Sequence, residues 1–174
     1  MKKIYISLAI LAISVSALLV ACNRDKDGSA RLRVVLHDMP VDFDSVKIEI
    51  LEVRIHSNAN GWTNLQTQGG IYDLLTLQNG VDTLLVHPQD VPSGLISQVR
   101  FILGSHNHVY IGANEFPLSL SSQDESGLKL NVHQELTENQ LYTLSVDFDA
   151  HESIHQTGSE TYKLKPVLSA SFQQ

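Results

Sequence analysis

A period-two alternation of apolar and polar residues is the feature that most limits the folds open to this chain. In the segment DSVKIEILEVRIH, residues 44–56, Val46, Ile48 and Ile50 fall on one face of an extended strand, with polar residues on the other. A doubled apolar pair at Ile50-Leu51 then shifts the apolar set, beginning with Leu51, into the opposite phase. Such a slip predicts a β-bulge or a bend between two strands.

Strand-like runs of this kind recur about every 8–12 residues, as in β-sandwiches, and turn-forming residues separate them. Two of these turns are SNANG at 57–61 and the tight-turn pair Asn79-Gly80. No long window has the periodicity of a helix. We therefore predict an all-β fold, an antiparallel β-sandwich that forms one domain over residues 31–174. The predicted strands are 31–36, 44–56, 61–65, 81–88, 95–103, 109–111, 116–120, 127–132, 141–149 and 162–172.

The N-terminal region differs from the rest of the chain in composition. Lys2 and Lys3 precede an apolar run over residues 4–20, which is short for a stable membrane span and typical of a secretory signal. The run ends in Leu19-Val20-Ala21-Cys22, which resembles the lipobox of bacterial lipoproteins. The resemblance implies a signal peptide at 1–21, then an acylated cysteine and a polar tether at 22–30.

Cys22 is the expected lipidation site, and palmitate is one of the acyl groups that such a lipoprotein carries. It is the only cysteine, so a disulfide within the chain is impossible. The alternative is an inert cysteine in a single-pass anchor. Because Asn23 replaces the aspartate that favours inner-membrane retention, we expect the protein in the outer membrane, anchored by its lipid and facing the periplasm or the cell surface.

The charge of the chain limits its partners. The formal net charge is −7 at pH 7, and removal of Lys2 and Lys3 with the signal would make it more negative. An acidic chain of this kind repels phosphate backbones, so we expect no nucleic-acid partner. The expected partners are the membrane, through the lipid on Cys22, and a glycan or a protein that the sequence does not identify.

A series of short segments resembles, in order, the landmarks of the domain of unknown function 4382 family. This family occurs in secreted and lipid-anchored bacterial proteins. The resemblance implies a β-sandwich of transthyretin-like or fimbrillin-like type and an envelope location, with no settled activity. Ile96 departs from the pattern, which commonly has an aromatic residue there. The segments are Asp38-Met39-Pro40, Phe43–Val46, Asp73–Gly80, Ser93–Arg100, Ser126–Lys129, Val146–Ala150 and Tyr162–Val167.

The stretch HESIHQTG, residues 151–158, contains the zinc-hydrolase pattern His-Glu-x-x-His. On a helix, His151 and His155 would share one face and hold zinc, while Glu152 acted as the general base. Here the pattern follows a predicted strand and runs into turn formers, and Thr161 stands where the longer zinc signature has a third histidine. A zinc hydrolase is therefore a remote alternative, and a surface loop between two strands is favoured.

His106 and His108 form a second candidate metal site. Residues i and i+2 of a strand share a face, so both rings could grip one ion. The surrounding segment GSHNH, however, is predicted to be the tip of a hairpin between 95–103 and 109–111, where exposed histidines are ordinary. These patterns indicate at most adventitious metal binding, both at His106 and His108 and at His151 and His155.

Aspartates offer a candidate cation site. Asp147 and Asp149 lie at period two on one strand, and Asp38, Asp42 and Asp44 surround the end of the first strand. If these strand ends meet, Asp38, Asp44, Asp147 and Asp149 supply the hard oxygen ligands that calcium prefers. The favoured interpretation is that they face solvent and cap turns by accepting backbone N–H groups.

Trp62, the only tryptophan, could fill the core or form a platform for a sugar ring, and we predict the core. No nucleophile triad or phosphate-binding loop is recognisable, so we expect no enzyme and no cofactor beyond the calcium considered above. The function expected is a lipid-anchored, non-catalytic binding or structural module of the cell envelope. The alternative is a carbohydrate-binding or fimbria-like adhesion accessory.

Overall fold

The computed structural model describes residues 28–38, 43–121 and 124–174, and these residues are almost entirely β-structure. The predicted all-β class is confirmed. The strands are β1 Ser29–His37, β2 Ser45–Ser57, β3 Gly61–Asn64, β4 Gly70–Asp73, β5 Thr83–Pro92, β6 Gly94–Leu103, β7 His108–Ile111, β8 Asn114–Leu120, β9 Leu128–Leu136, β10 Leu141–Phe148, β11 Ile154–Gly158, β12 Thr161–Leu164 and β13 Leu168–Gln173.

Two sheets enclose the core. The smaller sheet has the order β13-β10-β1-β5, and the larger has the order β11-β12-β8-β7-β2-β6-β9, with β3 and β4 also paired to β2. Most pairs are antiparallel as predicted, but β1 runs parallel to β10, and β12 runs parallel to β8. Neither of these pairs is consecutive in the chain, so no short hairpin turn requires its strands to be antiparallel. Residues 1–27 lie outside the described residues, and so do the predicted signal peptide and Cys22.

The predicted bulge in β2 is present. The pairing register between β2 and β6 shifts between Ile50 and Glu52. Ile50 and Val53 are both buried, so the bulge returns both apolar sets of β2 to the core. Leu51 was expected to belong to the second set, but it is the extra residue and is 50% exposed.

The central pair β1 and β10 follows the sequence alternation. Leu32, Val34 and Leu36 of β1 point into the core, and the aromatic and aliphatic residues of β10 that alternate with its polar ones are also buried. Burial of side chains of this size typically stabilises the fold by about 1.5–3 kcal/mol each. Because β1 and β10 are parallel, both strands end at the same edge of the smaller sheet.

Helical structure in the described residues is limited to single turns. These are the 3-10 turns Leu74–Leu77 and Asp124–Ser126 and the α-helical turn α1, Ala150–Ser153. The predicted turn at Asn79-Gly80 is confirmed, since φ is 58° at Asn79 and 83° at Gly80, the left-handed values that these residue types tolerate. Among the described residues, the helices are all too short to cross a lipid bilayer.

Candidate functional site

The solvent-facing side of β3, β2, β6 and β9, called here the outer face, places polar side chains from four strands in two rows. Residues directly opposite each other on paired strands lie on the same face. The register therefore forms one row from Asn64, Arg54, Arg100 and Lys129, and an adjacent row from Trp62, His56, Gln98 and Asn131. The residues between these positions on β2 and β6 are buried, which is why this side faces solvent.

Trp62 lies on the outer face, so the prediction that it fills the core is wrong. Its side chain is 38% exposed. β3 pairs Trp62 with the outward His56, whereas its neighbour Thr63 pairs with the buried Ile55. The guanidinium carbon of Arg100 lies 4.4 Å from the Trp62 ring centroid, and the His56 ring meets it edge-on at 5.2 Å between centroids. Trp62 is thus a fixed aromatic group at the surface.

Three cations occupy one row of the outer face. Arg54 stands opposite Arg100, and Arg100 stands opposite Lys129. Like charges directly opposite each other are destabilising, and here the chain compensates only in part. The Arg54 guanidinium pairs with Glu52 at 2.5 Å, and Arg100 stacks on Trp62. The row is locally cationic in a chain whose net charge is −7.

The arginines of this row retain unused hydrogen-bonding capacity. Within the ranges that the structure describes, Nε of Arg54 and Nε of Arg100 are buried and have no hydrogen-bond partner. In the neighbouring row, the Gln98 side-chain amide donates to Asn131 Oδ1 at 3.0 Å, and Ser97 Oγ lies 2.9 Å from His56 Nδ1. The outer face therefore combines an aromatic ring, planar cations and amide groups on one side of the larger sheet.

The aspartates predicted as a cation site converge only in part. The parallel pairing of β1 and β10 places His37 opposite Asp147, with 3.5 Å between His37 Nδ1 and Asp147 Oδ1. Burial raises the pKa of Asp147 above its ordinary value; His37 opposes this shift and Asp149 adds to it. Asp38 lies at the same edge and is 4% exposed. The ends of β1 and β10 therefore do meet, which was the condition for a shared cation site, and Asp38 is buried there rather than facing solvent.

Of the candidate aspartates in the described residues, Asp38, Asp44 and Asp149, but not Asp147, accept backbone N–H groups of the fold. Asp38 Oδ1 accepts the Ala150 N–H at 3.1 Å, and Asp149 caps α1 by accepting the Glu152 N–H at 2.9 Å. Asp44 lies elsewhere and accepts the Gly112 N–H at 2.6 Å, while Asp42 lies outside the described residues. In the part of the chain that the structure describes, no group of three or more histidine, cysteine or acidic side chains has a metal-binding arrangement.

The zinc-like segment is divided between two elements. His151 and Glu152 belong to the single turn α1, whereas His155 belongs to β11, so the two histidines do not share one helical face. His151 is 72% exposed, and its Nδ1 lies 3.3 Å from its neighbour Glu152. The predicted loop is thus a helical turn followed by a strand that pairs with β12.

The buried residues of this segment are those that the zinc pattern leaves unspecified. Ser153 is fully buried, and its hydroxyl donates to the Asp149 carbonyl and accepts the Val167 N–H at 2.8 Å. Its carbonyl accepts the Lys165 N–H at 2.8 Å. The segment thereby joins α1 to the connection between β12 and β13.

The segment that contains His106 and His108 is not a hairpin tip. β6 and β7 both pair with β2 rather than with each other, and the connection between them lies along β2. The buried Asn107 fixes this connection, because its Oδ1 accepts the Glu49 N–H at 2.9 Å and its Nδ2 donates to the Gly104 carbonyl at 2.7 Å. The predicted hairpin is wrong because β6 and β7 do not pair with each other. They pair with successive stretches of the same strand, β2.

The two histidines contact different carboxylates. The N–H and ring Nδ1 of His106 lie 3.0 and 2.8 Å from Glu49 Oε2, and these hydrogen bonds lower the pKa of Glu49. His108 Nε2 lies 3.8 Å from Glu115 Oε1. The two rings are therefore not arranged as a pair of ligands for one ion.

Sequence reasoning missed the cationic row of the outer face. A weak signal was present, since β2 contains Val53-Arg54-Ile55 and β6 contains Val99-Arg100-Phe101, each with an arginine between two buried residues. Two antiparallel strands with this pattern can place their arginines together. The pairing register that does so is not readable from either strand alone.

The fold and the outer face define a class of protein: an all-β, sandwich-like domain whose larger sheet presents an aromatic and cationic surface. Within this class, the chain belongs to the family described as domain of unknown function (DUF4382), which matches residues 29–166. This confirms the family resemblance found in the sequence. No curated protein and no solved structure matches the chain.

Proposed function

We propose that this protein is a lipid-anchored, non-catalytic binding module of the bacterial outer membrane and that it binds a glycan on the outer face. The single observation that carries the proposal is Trp62, which is held at the surface by Arg100 and His56 rather than packed in the core. A tryptophan exposed at a fixed position supplies apolar contact area for a ligand at low cost in conformational entropy.

The chemistry of the neighbouring row supports a carbohydrate ligand. Gln98 and Asn131 carry both donors and acceptors, which suit sugar hydroxyl groups, and His56 adds a ring nitrogen. The two rows extend across four paired strands, so they suit an extended polymer better than a compact small molecule. Aromatic contact and amide hydrogen bonds together provide both affinity and orientation.

The non-catalytic part of the proposal rests on how the candidate metal-binding residues are used. His151 and His155 lie on different elements, and Asp38 and Asp149 accept backbone N–H groups. Carboxylates engaged in this way stabilise the fold and are poorly placed to exchange protons with a substrate. We therefore assign the polar residues of this region to structure and the outer face to binding.

A polysaccharide-binding assay tests the binding proposal. The full chain would be purified in detergent and measured by affinity electrophoresis against a panel of neutral and acidic polysaccharides. We expect binding to at least one polysaccharide and a loss of about tenfold in affinity for Trp62→Ala, because an aromatic contact removed from a binding surface costs on this order. The matched control is Leu141→Ala, which removes a side chain that is 40% exposed on the other sheet. Binding to no polysaccharide in the panel would refute the proposal.

The anchor has its own test. Cells grown with labelled palmitate should incorporate label into the wild-type protein and not into Cys22→Ala, because the cysteine sulfur is the expected acylation site. Fractionation should place the wild-type protein with the outer membrane. Incorporation of equal label into both proteins would contradict acylation at Cys22.

A further inference from the structure

We infer that the outer face selects a glycan bearing carboxylate groups, that is, an acidic polysaccharide containing uronic acid residues. This inference rests on the proposed function and names the ligand class of the same surface. Its basis is the row of Arg54, Arg100 and Lys129, which crosses three paired strands beside Trp62.

The spacing of the row suits a polymer with repeated charges. Adjacent strands lie about 4.8 Å apart, so the three cations extend over about 10 Å along the direction of the row. A polysaccharide lying across the strands would pass each cation in turn. The adjacent row, with Gln98 and Asn131 joined by a hydrogen bond, runs alongside and would face the hydroxyl groups of the same sugars.

The guanidinium geometry of the arginines and the contacts that hold them both favour binding of carboxylates. Guanidinium groups are planar donors that match carboxylate oxygens in pairs. Arg100 is held by its stacking on Trp62, so less side-chain freedom is lost when a ligand binds. The Nε atoms of Arg54 and Arg100 are buried and lack a hydrogen-bond partner among the described residues, so the protein satisfies these guanidinium groups only in part.

The charges beside the row favour an anion. Glu52 faces the same side and pairs with Arg54, which leaves the Arg100 and Lys129 charges uncompensated by that carboxylate. An uronic acid residue has a pyranose ring with apolar C–H groups for contact with Trp62 and a single carboxylate for the row. A nucleic acid would likewise bring one negative charge per residue toward a chain with net charge −7, so net charge favours neither polymer. The amide row of Gln98 and Asn131, which suits ring hydroxyl groups, favours the sugar acid.

The test compares two forms of one polymer that differ in charge. Binding of the full chain in detergent would be measured by isothermal titration against polygalacturonate and against its methyl-esterified, neutral form. We expect about tenfold tighter binding to the charged form and an affinity that falls as sodium chloride is raised. The double variant Arg54→Gln/Arg100→Gln should lose this preference for the charged form.

A matched control keeps the total charge equal. Arg31→Gln/Arg33→Gln removes two exposed cations from β1 in the smaller sheet and should leave the preference unchanged. Circular dichroism melting of both double variants would show whether they fold. If Arg54→Gln/Arg100→Gln does not fold, the single variant Lys129→Gln, which is exposed on β9, should weaken binding to the charged form by a smaller factor.

The outcomes separate this inference from the proposed function. Equal binding of the neutral and charged polymers, with loss in Trp62→Ala, would overturn the charge selection and leave the glycan-binding module in place. Loss of preference in the Arg31→Gln/Arg33→Gln control would overturn the assignment to the row. Binding to single-stranded DNA as tight as to polygalacturonate would overturn the choice of a sugar acid over a phosphate polymer.

Discussion

The segment His151–Gly158 and the outer face use polar residues in opposite ways. The segment contains a recognisable metal pattern within a few consecutive residues, yet its histidines are separated onto α1 and β11. The outer face has only a weak signal in the sequence, yet strand pairing brings Trp62, Arg100 and Lys129 into adjacent positions. Proximity in the sequence is therefore a poor guide to shared chemistry in a protein built from paired strands.

The two regions also differ in the hydrogen-bond partners of their polar groups. Around α1, Asp38, Asp149 and Ser153 bind backbone groups of the fold itself. On the outer face, Nε of Arg54 and Nε of Arg100 are without partners in the described ranges. Substitutions in the first region should reduce stability, and those on the outer face should reduce binding.

The largest expected effect is a difference in stability between a buried and an exposed aromatic residue of the strands that form the outer face. Phe101 is fully buried next to Arg100 on β6, and Phe101→Ala should lower the free energy of unfolding by about 3–5 kcal/mol. Trp62→Ala should lower it by about 0.5–1 kcal/mol, the usual size of an exposed cation–π contact. Urea unfolding measures both values. A loss in Trp62→Ala as large as that in Phe101→Ala would show that Trp62 acts as a core residue.

The second prediction separates two residues within the zinc-like segment. Ser153→Ala removes a buried hydroxyl that accepts the Val167 N–H and donates to the Asp149 carbonyl, and it should lower the free energy of unfolding by about 1–2 kcal/mol. His155→Ala changes an exposed residue of β11 and should stay within about 0.5 kcal/mol of wild type. The reverse order in chemical denaturation would mean that the histidine, and not the serine, supports this segment.

A third, smaller effect depends on pH. Hydrogen bonds from His106 lower the pKa of Glu49, so the folded state favours the charged carboxylate. This contribution is complete above the ordinary carboxyl range and is lost as pH falls through the lowered pKa. Glu49→Gln should therefore have a lower Tm than wild type at pH 7, and the difference should disappear in acid. The control is Asp82→Asn at an exposed position, where no such pH-dependent difference in Tm is expected. A difference in Tm that stays constant with pH would contradict this account.

The smallest expected effect has the opposite sign. Burial raises the pKa of Asp147, so the folded state favours the protonated carboxyl, and stability is lost as pH rises through the raised pKa. Asp147→Asn removes this cost and should give a slightly higher Tm at pH 7, with no gain in acid. Thermal unfolding across pH provides the measurement. A lower Tm at pH 7 would mean that the contact with His37 outweighs the effect of burial.

Local features of the fold could be predicted because they depend on neighbouring residues. The bulge after Ile50 follows from two adjacent apolar residues in an alternating strand, and the turn at Asn79-Gly80 follows from the φ values that these residues tolerate. In β10, predicted as the strand 141–149, the apolar residues that alternate with polar ones are the buried ones. In each case the cause lies within one strand or one turn.

The candidate site could not be predicted in the same way. β3 is only four residues long, so its own alternation does not decide which side faces the core, and hydrophobicity alone favours a buried Trp62. The pairing of Trp62 with the outward His56 decides the matter. The hairpin expected around His106 failed for a similar reason, since both flanking strands pair with β2.

The sequence by itself determined the class of the fold, the family, the bulge in β2 and the inward sides of the long strands, because period-two patterns and turn residues act over short distances. Only the tertiary structure decided which outward residues became neighbours. The row of Arg54, Arg100 and Lys129 depends on strands that are distant in the chain and on a register that no single strand contains. A shift of one residue in that register would turn every side chain of a strand to the opposite face, so the long-range pairing of the sheet positions the proposed binding surface.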